Sequence, residues 1–171
     1  MAHSRPAPSA EFPLDGLRRS FAKSSVRTRC LADPVTRVAY ECDGATFFRG
    51  QPHFVVFPET TEQVARVVRL ANRYPSVPFV ARGAGTGLSG GCMSAHGGIM
   101  IALNRMNRIL ELDVDNRRAV VQPGVINLHV TQAAAPYGYH YAPDPSSQKA
   151  CTIGGNVAEN SGGPHTLKYG A

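Results

Sequence analysis

Nowhere in the 171 residues does an apolar run approach the roughly 18 residues of a membrane-spanning helix, and the N-terminus lacks the apolar block of a secretory signal. Those two absences lead to the expectation of a soluble, cytoplasmic protein. Cysteine is sparse: Cys30, Cys42, Cys92 and Cys151 show no C-x-x-C spacing, so reduced, mostly buried thiols are expected rather than disulfide staples. The six histidines contain no H-x-x-x-H pair, which argues against a metal site built by this chain. There is no internal repeat and no low-complexity block.

Acidic residues are also in short supply, 12 against 18 lysines and arginines, for a net charge of +6. That balance suits a nucleic-acid partner only if the excess lies on the folded domain beside stacking aromatics. It does not. Arg5, Arg18, Arg19, Lys23, Arg27 and Arg29, against Glu11 and Asp15, place +4 of the excess within residues 1–29. Arg66, Arg69 and Arg73 read as the wet face of a helix, so no nucleic-acid partner is expected. Glu11, Pro13 and Asp15 also suit an organellar presequence poorly, and a short surface helix is expected there instead.

What the chain has in quantity is glycine, concentrated in two places. Seven of the 17 glycines fall in residues 82–98 and five in residues 154–170. The first cluster opens with RGAGTGLSGG, Arg82 to Gly91, which holds five glycines in ten residues. Glycine lets backbone amides turn inward and approach a ligand closely, as an anion cradle requires. The second cluster, CTIGGNVAENSGGPHTLKYG, runs from Cys151 to Gly170.

The segments between these clusters place the first of them. Residues 1–13, with Pro6, Pro8 and Pro13, read as a mobile arm. Leu14 to Ser24 has a helical pattern through Leu14, Leu17 and Phe21, and a second short helix is expected from Asp33-Pro34 through Tyr40. PHFVVFP around Phe54 is a short apolar strand. Thr60-x-x-Gln63 then offers a capping box to a helix carrying Val64, Val67, Val68 and Ala71 on one face. Pro75 stops that helix, and VPFVAR, 77–82, is a second strand that runs into the glycine cradle, completing a β-α-β unit. Strands are expected at 98–103, 109–112 and 119–122 with an antiparallel character, then a helix over 125–135. A proline-controlled loop, YHYAPDPSS, follows at 139–147.

Three phosphate or nucleophile motifs overlap the cradle, and each fails. Gly85 to Gly90 fits G-x-G-x-x-G after a strand, and Gly87 to Gly91 fits G-x-S-x-G, but both motifs need a helix to open at the glycines. Here GCMSAHGG follows and leads into a strand. A P-loop is excluded because no G-K-[ST] follows. What is left is a glycine loop between strands that grips a pyrophosphate, with a second glycine-rich loop for the other end of the ligand. Two purely structural loops are the alternative reading.

Taken together, RGAGTGLSGG, YAPDPSS, TIGGNVAENSGG and HTLKYG resemble the FAD-binding module of the vanillyl-alcohol oxidase type. The match is to the FAD-linked 2-hydroxy-acid dehydrogenases of the glycolate oxidase D-subunit kind, near the D-lactate dehydrogenases. The resemblance implies an α+β fold of two subdomains: a β-α-β first subdomain and a mixed or antiparallel second one, incomplete here. It implies an N-terminal helical segment at 14–49 and an FAD-binding domain at 50–171, shortened at its C-terminus. By the same resemblance Arg82, Gly83, Ala84, Gly85, Thr86, Gly87, Leu88 and Ser89 form the pyrophosphate loop. Pro145, Ser146, Thr152, Gly154, Gly155, Asn156, Asn160 and Gly162 line the flavin and ribityl chain.

Some relatives tether FAD covalently through a histidine; the matching position here is Thr86, so non-covalent FAD is expected. The implied reaction is oxidation of a 2-hydroxy acid, glycolate or D-lactate, by hydride transfer to flavin. The implied partners are that small-molecule acid and other oxidase subunits, including an iron-sulfur protein as electron acceptor, with peripheral attachment at the inner face of the membrane through those subunits. No catalytic residue and no metal ligand is assigned within the chain. The alternatives are a dehydrogenase of a longer D-2-hydroxy acid or a non-catalytic remnant that keeps the flavin fold. As a fragment, the 171 residues alone are expected to bind FAD weakly or not at all.

Overall fold

The computed structural model of the chain describes residues 14–23 and 28–170. The arm expected over 1–13 and the end of the first expected helix at Ser24 lie outside them. Helix α1 (Leu14–Lys23) leads to a short strand β1 (Arg29–Leu31), absent from the sequence reading, and to α2 (Pro34–Arg37). Asp33 caps α2 by accepting from the Thr36 amide at 2.9 Å, with Pro34 in the first turn where its missing N–H costs nothing.

Strand β2 (Phe54–Phe57) and β4 (Ile99–Ala102) are buried at every position, as FVVF and IMIA require, because both faces of the sheet are covered. On one face Leu17 of α1, Phe54, Val56, Ile99, Ile101 and Val77 pack with Val67 and Ala71 of α3 (Thr61–Ala71). On the other, Val55, Phe57, Met100 and Ala102 pack under Leu31, Tyr40 and Val80. Each fully buried aliphatic side chain contributes roughly 1.5–3 kcal/mol, so this double-faced core is the main source of stability.

The α3 cap forms with a shift of one residue. Thr60 accepts from the Gln63 amide at 3.3 Å, but the Gln63 side chain accepts from the Glu59 amide at 2.7 Å rather than from Thr60.

Sheet order is β1-β2-β4-β3, with β3 (Phe79–Arg82) at the edge. The expected β-α-β unit is present, but β4 inserts between its two strands and runs parallel to both, pairing Phe54 and Phe79 with Ile99. The antiparallel character expected from residue 98 onward therefore begins only at β5 (Ile109–Asp113) and β6 (Arg118–Val121), a separate two-stranded ladder. Helix α4 (Asn127–Ala134) starts two residues later than expected, because Ile126 is extended and bridges to Thr152. The second glycine cluster is not a loop throughout: α5 (Ile153–Ala158) and α6 (Thr166–Tyr169) form within it. A Thr152 cap overrides the low helix propensity of Gly154-Gly155. Among the described residues no helix is long and apolar enough to cross a membrane.

Candidate cofactor site

The loop from Gly83 to Gly91 leaves the C-terminal end of β3, an edge strand of the parallel part (β2-β4-β3) of a mixed sheet, and ligands of open α/β folds collect at such strand ends. It forms one wall of a cleft of about 410 Å³; the other wall comes from Ser146, Ser147 and the start of α5. The two walls touch at their base. A Cβ on Gly83 would lie 2.3 Å from Thr152 Oγ1, so the glycine cradle and the α5 cap interlock without intervening side chain.

Two features keep the loop open to a ligand. Gly85 has φ +73°, a conformation ordinary residues avoid, and a Cβ there would fall 2.1 Å from Arg82 Nη2. Arg82 is the buried support beneath: its guanidinium lies 5.8 Å from the Tyr40 ring centroid and donates to Cys92 Sγ at 3.3 Å. The amides of Gly83, Ala84, Gly85, Thr86, Gly87, Leu88 and Ser89 donate to no acceptor among the described residues, whereas Gly90 N donates to Asp43 Oδ2 at 2.9 Å. These seven residues line the cleft and are half-buried or exposed, so their amides are open to a ligand or to water.

On the facing wall Thr152 Oγ1 accepts from Gly155 N at 3.3 Å, and Asn156 is buried. The Asn156 carboxamide is engaged internally: its Oδ1 accepts from Asn127 Nδ2 at 3.2 Å and its Nδ2 donates to Cys151 Sγ at 3.3 Å. Glu159 reaches back across the mouth of the cleft, accepting from Ser89 Oγ at 2.6 Å. Burial pushes the Cys92 thiol above its usual range, with Arg82 opposing and the carboxylates of Asp43 and Glu159 reinforcing the rise.

Of the residues singled out in the sequence, the cleft brings together Gly83, Ala84, Gly85, Thr86, Gly87, Leu88, Ser89, Ser146, Thr152, Gly155 and Asn156. Five lie off its surface. Arg82 supports from below, Pro145 closes a turn by accepting from the Gln148 amide, and Gly154 packs on Pro123. Asn160 follows α5 with φ 52°, and Gly162 accepts from the Asp144 amide. The site residues expected from sequence did not include Asp43, Gly91, Cys92, Ser147, Cys151, Glu159 and Ser161, which also line the cleft. Cys92 and Glu159 sit within the glycine clusters and were within reach of that signal. Asp43 was not, since nothing in its own segment marks it.

A glycine loop at a parallel strand's end, faced across a cleft by a short capped helix, is the arrangement of a cofactor-holding module. The chain belongs to the family described as FAD binding domain, whose profile matches residues 52–171. Its fold is that of the vanillyl-alcohol oxidase type. Alkyldihydroxyacetonephosphate synthase superposes with a TM-score of 0.77 at 23% identity, over 97% of this chain and 32% of that one. Arthrobacter nicotinovorans 6-hydroxy-D-nicotine oxidase gives a TM-score of 0.67 at 25% identity, over 85% and 31%.

Among curated proteins, the glycolate oxidase subunit GlcD of Escherichia coli (strain K12) is 53% identical over 78% of this chain and 26% of its own length. GlcD of Bacillus subtilis (strain 168) is 43% identical over 78% and 28%. A D-lactate dehydrogenase of Anaerostipes hadrus is 43% identical over 74% and 26%. The chain thus spans about a quarter of the length of these relatives.

Proposed function

We propose that this chain is the FAD-holding part of an oxidoreductase that converts a 2-hydroxy acid, glycolate or D-lactate, to the 2-oxo acid. The observation that carries the cofactor reading is the glycine loop from Gly83 to Ser89, which lines the cleft and whose backbone amides have no acceptor among the described residues. Backbone donors in a confined site match a diphosphate, and the absence of Cβ atoms at Gly83, Gly85 and Gly87 leaves room for its oxygens. The 53% identity to an Escherichia coli glycolate oxidase subunit supports the substrate class.

FAD, when bound, supplies a two-electron acceptor that takes the hydride from C2 of the acid as the hydroxyl proton leaves to a base. The residues described here hold and orient that group. The 83–89 amides grip the diphosphate, and Ser146, Thr152, Gly155 and Asn156 shape the surface for the flavin end. Thr86 offers a hydroxyl where a covalent tether needs an imidazole, so the cofactor is held without a bond. We assign no proton-transfer residue and no metal ligand to this chain. We also assign it, as one subunit among several, to an oxidase that includes an iron-sulfur protein, at the cytoplasmic face of a membrane.

The test is to express the protein from its full reading frame, release the flavin by denaturation, and titrate the holoprotein anaerobically with glycolate, D-lactate and L-lactate. The expected result is intact FAD in the supernatant and flavin bleaching by glycolate or D-lactate. No bleaching by any of the three, nor by D-2-hydroxyglutarate in a parallel titration, rules out a 2-hydroxy-acid substrate. Bleaching by D-2-hydroxyglutarate alone favours a longer acid, the direction suggested by 37% identity to a Stutzerimonas stutzeri D-2-hydroxyglutarate dehydrogenase.

A further inference from the structure

Residues 41–50, ECDGATFFRG, carry no motif, and all but Gly50 fall in the segment expected as N-terminal and helical, apart from the FAD-binding domain. In the fold they strap the glycine loop. Asp43 is only 7% exposed, and both of its carboxylate oxygens are engaged by backbone. Oδ1 accepts from Ala45 N at 2.9 Å within the strap, and Oδ2 accepts from Gly90 N at 2.9 Å, 47 residues along the chain. The next residue adds a second tie: Gly44 N donates to Gly87 O at 3.0 Å, with the strands of chain so close that a Cβ on Gly44 would sit 2.9 Å from Thr86 O. Gly50 N donates to Glu41 O at 2.8 Å and closes the strap on itself.

A carboxylate lining a cleft built for a diphosphate is repulsive to the ligand if it acts directly. Its placement makes sense through the backbone. By fixing Gly90 and, through Gly44, Gly87, it fixes the far end of the segment whose amides are free. A loop already held in its binding shape gives up less conformational freedom when the ligand arrives.

We propose that Asp43 is a positioning residue of the cofactor site, holding the Gly83–Ser89 amides turned toward a diphosphate without touching it. This rests on the FAD reading above. Asp43→Asn keeps the volume but replaces one accepting oxygen with a donor that faces an N–H. Wild type and D43N, each expressed from the full reading frame and stripped of flavin, are titrated with FAD, ADP and FMN, and the flavin-free unfolding midpoint is recorded.

The expected result is a loss of about tenfold in affinity for FAD and ADP, which carry a diphosphate, with FMN affinity little changed and a modestly lower midpoint from the unpaired backbone amide. Unchanged FAD affinity overturns the proposal, as does a parallel fall of all three affinities with the midpoint, which would make Asp43 a general support. Hydrogen exchange in the wild type covers the case in which D43N does not fold. Gly90 N–H is expected to be protected without flavin while the 83–89 amides exchange freely and gain protection when FAD is added. A Gly90 amide that exchanges as fast as its neighbours overturns the proposal. Failure of the wild type to take up FAD strikes the functional reading itself, and this proposal with it.

Discussion

A single methyl group at Gly85 is enough to test how rigidly the cradle is built. The added Cβ would need φ +73° and would meet a guanidinium that is itself buried, stacked on Tyr40 and bonded to Cys92. Arg82 Nη2 is the far end of a flexible side chain and can move aside, so the backbone conformation sets the cost. Gly85→Ala is therefore expected to cost about 1–3 kcal/mol from backbone strain alone, read as a lower denaturant midpoint, and to weaken FAD binding further. An unchanged midpoint would mean that the loop relaxes freely. At this scale the sequence was informative, because the glycines themselves report where backbone must come close. It was silent on Asp43, whose role depends on a partner 47 residues away.

Among the elements, α5 is the one whose formation sequence propensity opposed. Ile153 to Ala158 includes two consecutive glycines, and it was read as loop. Its helix is set by Thr152, whose hydroxyl accepts from Gly155 N while the residue is 2% exposed and wedged against Gly83. Replacing Thr152 with Val preserves shape and removes only the oxygen. The expected loss is about 1 kcal/mol, measured by chemical denaturation, with Thr152→Ser recovering most of it. Equal stability of the two variants would mean that packing alone sets the helix. The strands β2 and β4 were legible because short apolar runs bounded by Pro52 and Pro58, or preceded by Gly97-Gly98, suit strands of a sheet covered on both sides. Strand β1, at three residues, carried too little pattern to be seen.

At the scale of the whole molecule, the crossover from the glycine loop back into β4 is fastened to the start of β2. His53 N donates to Gly98 O at 2.8 Å, and His53 Nδ1 accepts from Gly98 N at 2.7 Å. That acceptor exists only on the neutral ring. Burial first, then the nearby Arg37 charge, hold the His53 imidazole below its ordinary value of 6.5. With the folded-state value depressed, the unfolded chain binds the proton more readily. The contribution is therefore complete above pH 6.5 and is lost as pH falls through the folded-state value.

Thermal midpoints are expected to fall as pH is lowered from about 7 toward 5, and His53→Asn, which keeps an acceptor that cannot titrate, should flatten that part of the curve. Identical slopes in the two proteins would remove His53 as the cause. What the sequence by itself determined was local: the apolar runs, the caps, the glycine loop at a strand's end, and motifs specific enough to indicate FAD. Only the tertiary structure decided that β4 enters between β2 and β3, that α5 closes on the cradle, and that the 41–50 strap belongs to the site. Periodicity and propensity are properties of neighbouring residues, whereas strand order and backbone-to-carboxylate ties between distant segments arise only when the chain packs.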